Sequence, residues 1–396
     1  MPGKNLHVVF VDHVARLSGG EIALVRLLPE LSKHVDVTVI LGEEGPLAER
    51  LHDNGVAVEL MPLDPRLRDL RKDTLRPTAV DLRAFGSLPG YVLKLCARIR
   101  ALEADIVHTN SLKAAFYGAA AGRLAGVPVV WHVRDRIAAD YLPPPAVRVV
   151  RLASRFLPTA VIANSRETMS TVPLRRDRRV IYNAIVPDSV EAPAGRHHCR
   201  PFATVVGMIG RLTPWKGQDV FLDAFAQAFR GRDVRARLIG SAMFGEDAYA
   251  DSLRQRAQKL GIEGQVEFRG FRENIWVELQ HLDVLVHCSV QPEPFGQVVL
   301  EGLAAGVPVV AAAAGGPAEI VTDGVDGLLT TPGSSDELAD ALRRLVAEPD
   351  LRERLGAAGR LRSRDFSPQR TVSQLLTIYE QVVAGSRGRR ARTQRR

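Results

Sequence analysis

The sequence predicts an α/β protein built from two tandem, doubly wound domains. Short apolar runs alternate with amphipathic stretches along the first half of the chain, and the same alternation restarts at Phe202. Continuous apolar strands separated by helices are typical of a parallel sheet that is covered on both faces. At 396 residues the chain is long enough for two such domains, each with a ligand crevice at the carboxyl ends of its strands.

The first domain is predicted to occupy residues 1–186. Its apolar runs predict strands at 6–11, 35–41, 56–60, 106–109, 127–131 and 160–163. Its amphipathic stretches predict helices at 21–31 and 47–54. This βαβαβ order is the one expected for a parallel sheet with crossover helices.

A segment with three prolines, one glycine and no periodicity, 187–201, predicts an interdomain linker. The second domain, 202–366, is predicted to contain strands at 204–209, 235–239, 265–268, 284–287 and 307–312, and helices at 218–230, 248–260 and 298–305. A capping serine followed by proline predicts a last helix at 367–384. The polar, arginine-rich tail 385–396 is expected to be disordered.

The formal net charge of +8 is concentrated at the end of the chain. Six arginines follow Ser386, which leaves +2 for the rest of the protein. A nearly neutral body argues against nucleic acid as a partner, although the arginine tail is a candidate contact for an anionic membrane. A solubilising tail without a partner is the alternative.

The location of the protein is expected to be cytoplasmic. No run reaches the ~20 uncharged apolar residues of a spanning helix. Residues 1–7 lead directly into the first strand instead of forming a signal peptide. The inner face of the membrane is the alternative location.

Two basic residues follow the first predicted strand of the second domain. Arg211 comes directly after Gly210, and Lys216 precedes the next helix. An open α/β sheet holds phosphate groups at this position, and a forked guanidinium together with a compact ammonium can neutralise a diphosphate. Two unrelated surface cations are the alternative for this motif alone. The sequence around Gly210 does not complete G-x-G-x-x-G, so a nicotinamide-binding fingerprint is lacking.

Two acidic residues form the second motif of this domain. Glu293 lies in a Pro/Phe/Gly turn, and Glu301 lies eight residues later within an apolar helical stretch. The turn offers free amide hydrogens and the helix N-terminus offers its dipole, so an anion is the expected ligand.

These motifs resemble those of the retaining glycosyltransferases of family four, which have the GT-B architecture. The resemblance spans residues 6–384 and rests on eight motifs in order, which are Ser18-Gly19-Gly20-Glu21, His108-Thr109-Asn110-Ser111, Trp131-His132, Ala163-Asn164-Ser165, Ile181-Tyr182-Asn183, Gly210-Arg211 with Lys216-Gly217, Glu293 with Glu301, and 315–321. It implies two Rossmann-like domains facing a cleft, with the C-terminal helix crossing back to the N-terminal domain. It also implies that the first domain binds the acceptor and the second binds a nucleotide sugar.

The resemblance assigns donor-binding roles in the second domain. It places Arg211 and Lys216 on the diphosphate, Glu301 on the ribose hydroxyls and Glu293 on the hexose hydroxyls. Further donor contacts are implied for Gly210, for the amides of the turn and for the segment that seats the base. These residues are Phe295, Gly296, Gln297, Arg269 and Phe271.

In the first domain, the resemblance implies that Gly19 and Gly20 approach the diphosphate and that His132 contacts the donor sugar. The catalytic set implied is therefore Arg211, Lys216, Glu293 and His132. Asn110, Ser111 and Arg134 are candidate acceptor-binding residues. The chain departs from the commoner family pattern at Arg134 and at His287-Cys288, and the latter pair is expected to pack beside the donor pocket.

The chain contains no Asp-x-Asp sequence that would hold a divalent metal on the diphosphate. The resemblance therefore implies a metal-independent hexosyltransferase with no cofactor and a nucleoside-diphosphate sugar as co-substrate. The favoured acceptor is a glycolipid or cell-envelope polysaccharide. Arg148, Arg151 and Arg155 give the helical stretch 145–157 a basic face that suits an anionic membrane, as does the arginine tail. An ordinary surface helix is the alternative for this stretch. The alternatives are a soluble cyclitol or secondary-metabolite acceptor, and a nucleotide-sugar epimerase of the same architecture.

Overall fold

The structure of the protein is a computed structural model that describes residues 5–69, 82–173, 177–186, 204–243 and 245–393. The chain divides into two compact units. The first unit comprises Met1–Ala184 together with Pro368–Arg396, and the second comprises Ile185–Ser367. The predicted linker, 187–201, lies outside the described residues.

The first unit is organised by a parallel sheet with strands β1 (His7–Asp12), β2 (Asp36–Leu41), β3 (Ala57–Leu60), β4 (Ile106–Thr109), β5 (Val129–Val133), β6 (Ala160–Ala163) and β7 (Arg178–Val180). The strand order is β3-β2-β1-β4-β5-β6-β7. The connecting helices are α1 (Gly19–Leu31), α2 (Pro46–Asp53), α3 (Pro65–Arg68), α4 (Leu82–Ala101), α5 (Leu112–Ala125), α6 (Pro144–Phe156) and α7 (Arg166–Ser170).

Strand β1 is buried on both faces of this sheet, which explains its continuous apolar run. Val9 and Val11 of β1 pack into one hydrophobic cluster with α4 and α5. Val8 and Phe10 of the same strand pack into a second cluster on the opposite face with α1 and α2. Successive side chains of a strand point to opposite faces, so a strand covered on both sides has no polar side.

The second unit has a six-stranded parallel sheet with strands β8 (Thr204–Ile209), β9 (Val234–Ile239), β10 (Val266–Gly270), β11 (Val284–His287), β12 (Val309–Ala312) and β13 (Leu328–Thr330). The order is β10-β9-β8-β11-β12-β13. Its helices are α8 (Gln218–Phe229), α9 (Asp247–Lys259), α10 (Ile275–Gln280), α11 (Gln297–Ala304), α12 (Pro317–Ile320), α13 (Ser335–Ala347) and α14 (Pro349–Ser363). Two parallel sheets flanked by helices confirm the predicted α/β fold class with two doubly wound, Rossmann-like domains.

The last helix, α15 (Pro368–Thr393), belongs to the first unit. Leu375, Ile378 and Tyr379 are buried in the cluster that also contains Leu24 and Leu28 of α1. The prediction of disorder for 385–396 is wrong for residues 385–393, which continue this helix. Arginine and alanine are good helix formers, and extending an existing helix needs no new nucleus. None of the described helices is long and apolar enough to cross a membrane.

Each sheet reverses its strand order once, and this position determines where a ligand can bind. In the first unit, strands β2 and β3 lie on one side of β1, and β4 and the later strands lie on the other side. In the second unit, β9 and β10 lie on one side of β8, and β11 and the later strands lie on the other side. Doubly wound sheets bind ligands beyond the carboxyl ends of the strands at such a switch point. The residues that follow β1, β4, β8 and β11 are therefore the candidate site residues.

Candidate functional site

Two loops meet at the switch point of the second unit. One follows β8 and contains Lys216, and the other follows β11. Gly217 has a φ of +77°, and a Cβ atom on it would lie 2.2 Å from the carbonyl oxygen of Cys288. Cys288 is itself buried, and its Sγ lies 3.0 Å from the Gly217 carbonyl oxygen. Glycine is thus required for the close approach that brings the two loops together.

The close approach of the loops joins Lys216 to Glu293. Lys216 Nζ lies 2.6 Å from Glu293 Oε2, and the two side chains are only 12% and 13% exposed. His287 Nε2 lies 2.6 Å from the same oxygen, and Ser289 Oγ lies 3.1 Å from it. His287 is predicted from the sequence to pack beside the donor pocket, and in the structure it contacts Glu293 directly.

The Glu293 carboxylate is held in its ionised form. Burial alone would raise its pKa, but the charge of Lys216 and the hydrogen bonds from His287 and Lys216 outweigh burial and hold the pKa well below its usual range. Glu293 therefore carries a negative charge at any pH where the protein is expected to work. It can accept hydrogen bonds but cannot donate a proton.

The Glu293 loop is fixed from its other side by a pair of glycines before α12. The amide of Gly316 donates to the carbonyl oxygen of Glu293 at 2.8 Å. A Cβ atom on Gly315 would lie 2.2 Å from the same oxygen, and its φ is +67°. Backbone contact this close leaves no room for a side chain, so these glycines determine the position of the acid.

Arg211 occupies the loop after β8, as predicted, and is partly exposed. Its Nε lies 3.4 Å from Glu246 Oε2, while Thr213 Oγ1 donates to the other oxygen of that carboxylate at 2.5 Å. The Arg211 carbonyl oxygen accepts a hydrogen bond from Gln218 Nε2 at 2.8 Å. Both predicted cations, Arg211 and Lys216, are thus each oriented by a carboxylate.

The second acid and the turn lie at the start of α11. Glu301 is 4% exposed within this helix, which begins at Gln297. Gly296 precedes the helix with a φ of +89°. Phe295 is buried, with its ring centroid 6.3 Å from that of Phe366. The Phe295 side chain therefore anchors the turn, and only its backbone amide remains a candidate ligand contact.

The predicted base-binding residues follow β10. The guanidinium of Arg269 lies 3.2 Å from Glu278, a buried carboxylate on α10. Phe271 is 71% exposed. The Arg269 side chain thus forms an ion pair with Glu278, and the exposed ring of Phe271 remains a candidate for stacking on a base.

At the switch point of the first unit, a chain of hydrogen bonds links Asp12 at the end of β1 to Arg134. Asn110 Nδ2 donates to Asp12 Oδ2 at 2.6 Å, and Asn110 Oδ1 accepts from Arg134 Nε at 2.7 Å. Asn110 is 1% exposed. One polar end of the Asn110 side chain therefore contacts Asp12, and the other end orients Arg134.

Arg134 has two further contacts. Its Nη1 donates to Asn183 Oδ1 at 2.6 Å, and its Nη2 lies 3.4 Å from His132 Nδ1. Burial lowers the pKa of Arg134 to about 10, although Glu21 and Asp12 favour its charged form. The guanidinium is still charged at neutral pH and is oriented by three side chains.

The Ser18-Gly19-Gly20-Glu21 motif forms the N-terminus of α1. Glu21 Oε2 accepts a hydrogen bond from the Ser18 amide at 3.1 Å, which is half of a capping box. A Cβ atom on Gly20 would lie 3.2 Å from the Arg134 side chain. Burial, with a smaller effect of the Asp12 charge, raises the pKa of Glu21 to about 7. This carboxyl is therefore partly protonated at neutral pH.

Sequence reasoning missed His13, which follows β1. Its Nδ1 lies 2.8 Å from Ser111 Oγ and 3.2 Å from Asp12 Oδ1. Burial would raise the pKa of Asp12, but hydrogen bonding and charge from His13, with support from Asn110 and Ser111, lower it. The signal that could have found this group is its position directly after the first strand, opposite Ser111 after β4.

His132, near the end of β5, lies among buried rings. Its Nδ1 is 3.2 Å from Nε2 of His108 on β4, whose Nδ1 is 2.7 Å from the hydroxyl of Tyr379 on α15. All three residues are buried. The histidine that was predicted to contact a sugar thus belongs to a hydrogen-bonded line that reaches the C-terminal helix.

Comparison with known proteins places this chain in a family. Residues 202–362 match the family Glycosyl transferases group 1, and residues 18–184 match the Glycosyl transferase 4-like domain. A D-inositol 3-phosphate glycosyltransferase of Actinosynnema mirum is 30% identical over 336 residues, which cover 74% of this chain and 78% of that relative. The chain is a family-four glycosyltransferase.

Solved structures agree with this assignment. The glycosyltransferase superposes on Anabaena Alr3699/HepE, crystallised in complex with UDP and glucose, with a TM-score of 0.80 and 30% identity, covering 95% of this chain and 100% of that one. Sucrose-phosphate synthase from Thermosynechococcus elongatus has the same fold, with a TM-score of 0.77, 19% identity, and coverage of 96% of this chain and 100% of that chain. The architecture of the glycosyltransferase is therefore GT-B, and the family supports a transferase over an epimerase.

Proposed function

We propose that this glycosyltransferase moves a hexosyl group from a UDP-sugar to a hydroxyl acceptor, with retention of the anomeric configuration and without a metal ion. The observation that carries the proposal is the Lys216–Glu293 pair at the switch point of the second unit, where a cation and an ionised acid lie 2.6 Å apart. A second support is the Anabaena relative, which was crystallised with UDP and with UDP-glucose.

In the proposed mechanism, Arg211 and Lys216 bind the diphosphate and stabilise the charge that develops on it as the sugar bond breaks. Fixed cations aimed at a developing charge are an effective source of catalysis because they need no reorganisation during the reaction. Arg211 is oriented by Glu246 and Lys216 by Glu293, so both are in place before the leaving group forms. Two cations supply the charge that a divalent ion supplies at other diphosphate sites.

Glu293 is proposed to bind the hexose hydroxyls next to the reacting carbon. Because its carboxylate is ionised and accepts from Lys216 and His287, it is poorly placed to lose its charge by forming a covalent bond. Its negative charge also favours an oxocarbenium-like transition state. Attack of the acceptor on the same face, assisted by the departing phosphate, accounts for retention without a nucleophile from the protein.

Glu301 is proposed to bind the ribose, and the amides at Gly296 and Gln297 the phosphate. The buried position of Glu301 inside α11 holds its carboxylate in one place. In the first unit, Gly19 and Gly20 are proposed to approach the donor, and Asn110, Ser111 and Arg134 to form the acceptor side. The Asn110 contacts indicate that this residue acts by orienting Arg134.

The acceptor class we favour is a glycolipid or a growing cell-envelope polysaccharide, and α6 supports it. Val149, Leu152 and Phe156 on this helix are 58%, 63% and 63% exposed, while Val147 and Val150 face the core. The arginines of the same helix, Arg148, Arg151 and Arg155, are also exposed. Large apolar side chains interleaved with arginine suit the headgroup region of an anionic membrane.

A soluble cyclitol phosphate is the second candidate acceptor. It is favoured by the relatives from Actinosynnema mirum and Nocardioides, both named D-inositol 3-phosphate glycosyltransferase. Arg134, a charged guanidinium held by Asn110 and Asn183, offers a group that could bind a phosphate.

Vesicle sedimentation combined with an acceptor screen distinguishes the membrane acceptor from the soluble cyclitol phosphate. The full chain and a Val149→Ser/Leu152→Ser/Phe156→Ser variant are compared on vesicles with and without anionic lipid. The matched control is Val325→Ser/Leu361→Ser, which removes exposed apolar side chains from the second unit. Binding to anionic vesicles that only the α6 variant loses supports the membrane acceptor. Equal sedimentation of all three proteins, with transfer to inositol phosphate, supports the soluble one.

A further inference from the structure

A buried line of three rings connects His132 to the C-terminal helix within the first unit. The Tyr379 hydroxyl lies 2.7 Å from His108 Nδ1, and His108 Nε2 lies 3.2 Å from His132 Nδ1. Phe10 stacks on His108 with ring centroids 4.4 Å apart, which holds the plane of the imidazole. Because the rings are buried, the protein and not water sets the direction of each hydrogen bond.

Arg134 determines this direction. Its Nη2 lies 3.4 Å from His132 Nδ1, the atom that also contacts His108. A guanidinium has donors only, so His132 Nδ1 is the nitrogen without a proton. His108 Nε2 then donates to His132, and His108 Nδ1 accepts the phenolic proton of Tyr379. The opposite direction would set an N–H group of His132 against an N–H group of Arg134.

All three rings are neutral. Burial, with a smaller contribution from the charge of Arg134, lowers the pKa of His108 to about 3. The same causes lower the pKa of His132 well below its usual value, and burial raises the pKa of Tyr379. Each ring therefore carries one mobile proton at neutral pH, and the proton of His132 lies on Nε2.

His132 Nε2 is the end of the line. It is buried, and no hydrogen-bond acceptor lies within reach among the described residues. A buried donor without an acceptor destabilises the fold, so such a group in a native protein calls for a specific partner. His132 is 5% exposed at the carboxyl end of β5, on the edge of the sheet where doubly wound domains bind ligands.

We infer that Tyr379 and His108 are positioning residues that hold His132 as a neutral Nε2–H donor. The oxygen that this donor meets is the hydroxyl or ring oxygen of the donor sugar with which the family resemblance already places His132 in contact. The identity of that oxygen rests on the proposed function, whereas the direction of the hydrogen bonds does not. A neutral donor suits a reaction in which the sugar carbon gains positive charge, because an imidazolium beside it would oppose that charge. The C-terminal helix thereby contributes to the site through one phenol group.

The direct test is a long-range proton–nitrogen NMR spectrum of the full chain labelled with ¹⁵N-histidine, with His132 assigned from a His132→Gln variant. Protonated and unprotonated ring nitrogens give well-separated signals. We expect His132 to carry its proton on Nε2 and to show no titration between about pH 6 and about pH 8. A His132 signal with the proton on Nδ1, or one that titrates in that range, would overturn the inference.

The second test compares Tyr379→Phe with Tyr91→Phe. Tyr91 is a buried tyrosine of the same unit that donates to the Met61 carbonyl oxygen at 3.1 Å, so the control also removes one phenol hydrogen bond. We expect Tyr379→Phe to shift the His108 and His132 nitrogen signals and to lower kcat for UDP-sugar turnover about fivefold, as for loss of one hydrogen bond. Tyr91→Phe should do neither. Unchanged histidine signals in Tyr379→Phe would contradict the role of Tyr379.

The two tests separate this inference from the proposed function. The NMR measurement needs no substrate and reports only on the rings. If the protein turns over no UDP-sugar but His132 is the Nε2–H form, the proposed function fails and the positioning of His132 stands. If UDP-sugar is turned over but His132 carries its proton on Nδ1, the proposed function stands and the inferred positioning of His132 fails.

Discussion

Lys216 Nζ lies 2.6 Å from Glu293 Oε2, although 77 residues separate them in the chain. The contact exists because Gly217 and Cys288 pack backbone to backbone and bring the two loops after β8 and β11 together. It joins the predicted phosphate-binding cation to the predicted sugar-binding acid. The pair is the basis of the proposed site, in which Lys216 binds the diphosphate and Glu293 binds the hexose.

The first prediction concerns the cation. Lys216→Met should lower kcat/KM for a UDP-sugar about 100-fold or more, because a fixed charge on the leaving diphosphate is lost. Lys259→Met, which removes an exposed lysine at the end of α9, is the matched control and should behave as the wild type. Steady-state kinetics check this, and equal kcat/KM for the two variants would reject the phosphate role of Lys216.

The second prediction concerns the acid and pH. The folded-state pKa of Glu293 lies below its ordinary value of 4.5, so its ionised form stabilises the fold above that pH. This contribution should be lost as pH falls below 4.5 towards the folded-state pKa. The difference in the free energy of unfolding between wild type and Glu293→Gln, measured by urea denaturation, should therefore shrink on acidification below about pH 4.5. A difference that grows would mean that Glu293 is not held ionised.

The third prediction concerns ribose binding. Glu301→Gln should weaken UDP binding about tenfold, because a hydroxyl bound to a carboxylate loses a charge-assisted hydrogen bond. The change keeps the volume of a side chain that is only 4% exposed. Titration calorimetry with UDP measures it, and the thermal midpoint of the free protein serves as the control for folding. Unaltered UDP affinity would remove Glu301 from the nucleotide site.

The fourth prediction concerns Glu21 at the start of α1. Its folded-state pKa is raised from 4.5 to about 7, so the neutral form is favoured in the folded protein and stability falls as pH rises through this window. At 1.36 kcal/mol per pKa unit the loss is roughly 3 kcal/mol. Glu21→Gln keeps a capping oxygen for Ser18 and has no charge to gain. The free energy of unfolding of Glu21→Gln minus that of the wild type, measured by urea denaturation, should therefore increase between about pH 4.5 and about pH 7. If Glu21 titrates normally, this difference should not change with pH.

The sequence predicts the buried strands well and misses two edge strands of three residues each, β7 and β13. Strands β4, β6, β8 and β11 have the predicted bounds, because each is buried along nearly its whole length and begins with apolar or β-branched residues. Strand β7 (Arg178–Val180) was missed because it has three residues, two of them arginine, and lies at the end of the strand order of the described sheet. So short and polar a run has no apolar signature in the sequence.

The candidate site residues also differ in how far local sequence predicts them. Lys216 and Glu293 could be predicted because each lies in a glycine-containing turn after a strand. The contact of His287 with Glu293 depends on the conformation of a loop, which local pattern does not specify. Tyr379 could not be connected to His108 because 271 residues separate them, and nothing in a helix of ordinary composition marks one tyrosine for such a role.

The most direct test of the central claim follows the sugar itself. The protein is incubated with UDP-α-glucose and EDTA, without any acceptor, and the anomeric proton of the released glucose is observed by NMR before mutarotation. The proposed mechanism predicts slow release of glucose that is initially in the α configuration, at a rate that EDTA does not change and that Lys216→Met lowers strongly. Release of β-glucose, or conversion of the donor to another UDP-sugar without release, would contradict it.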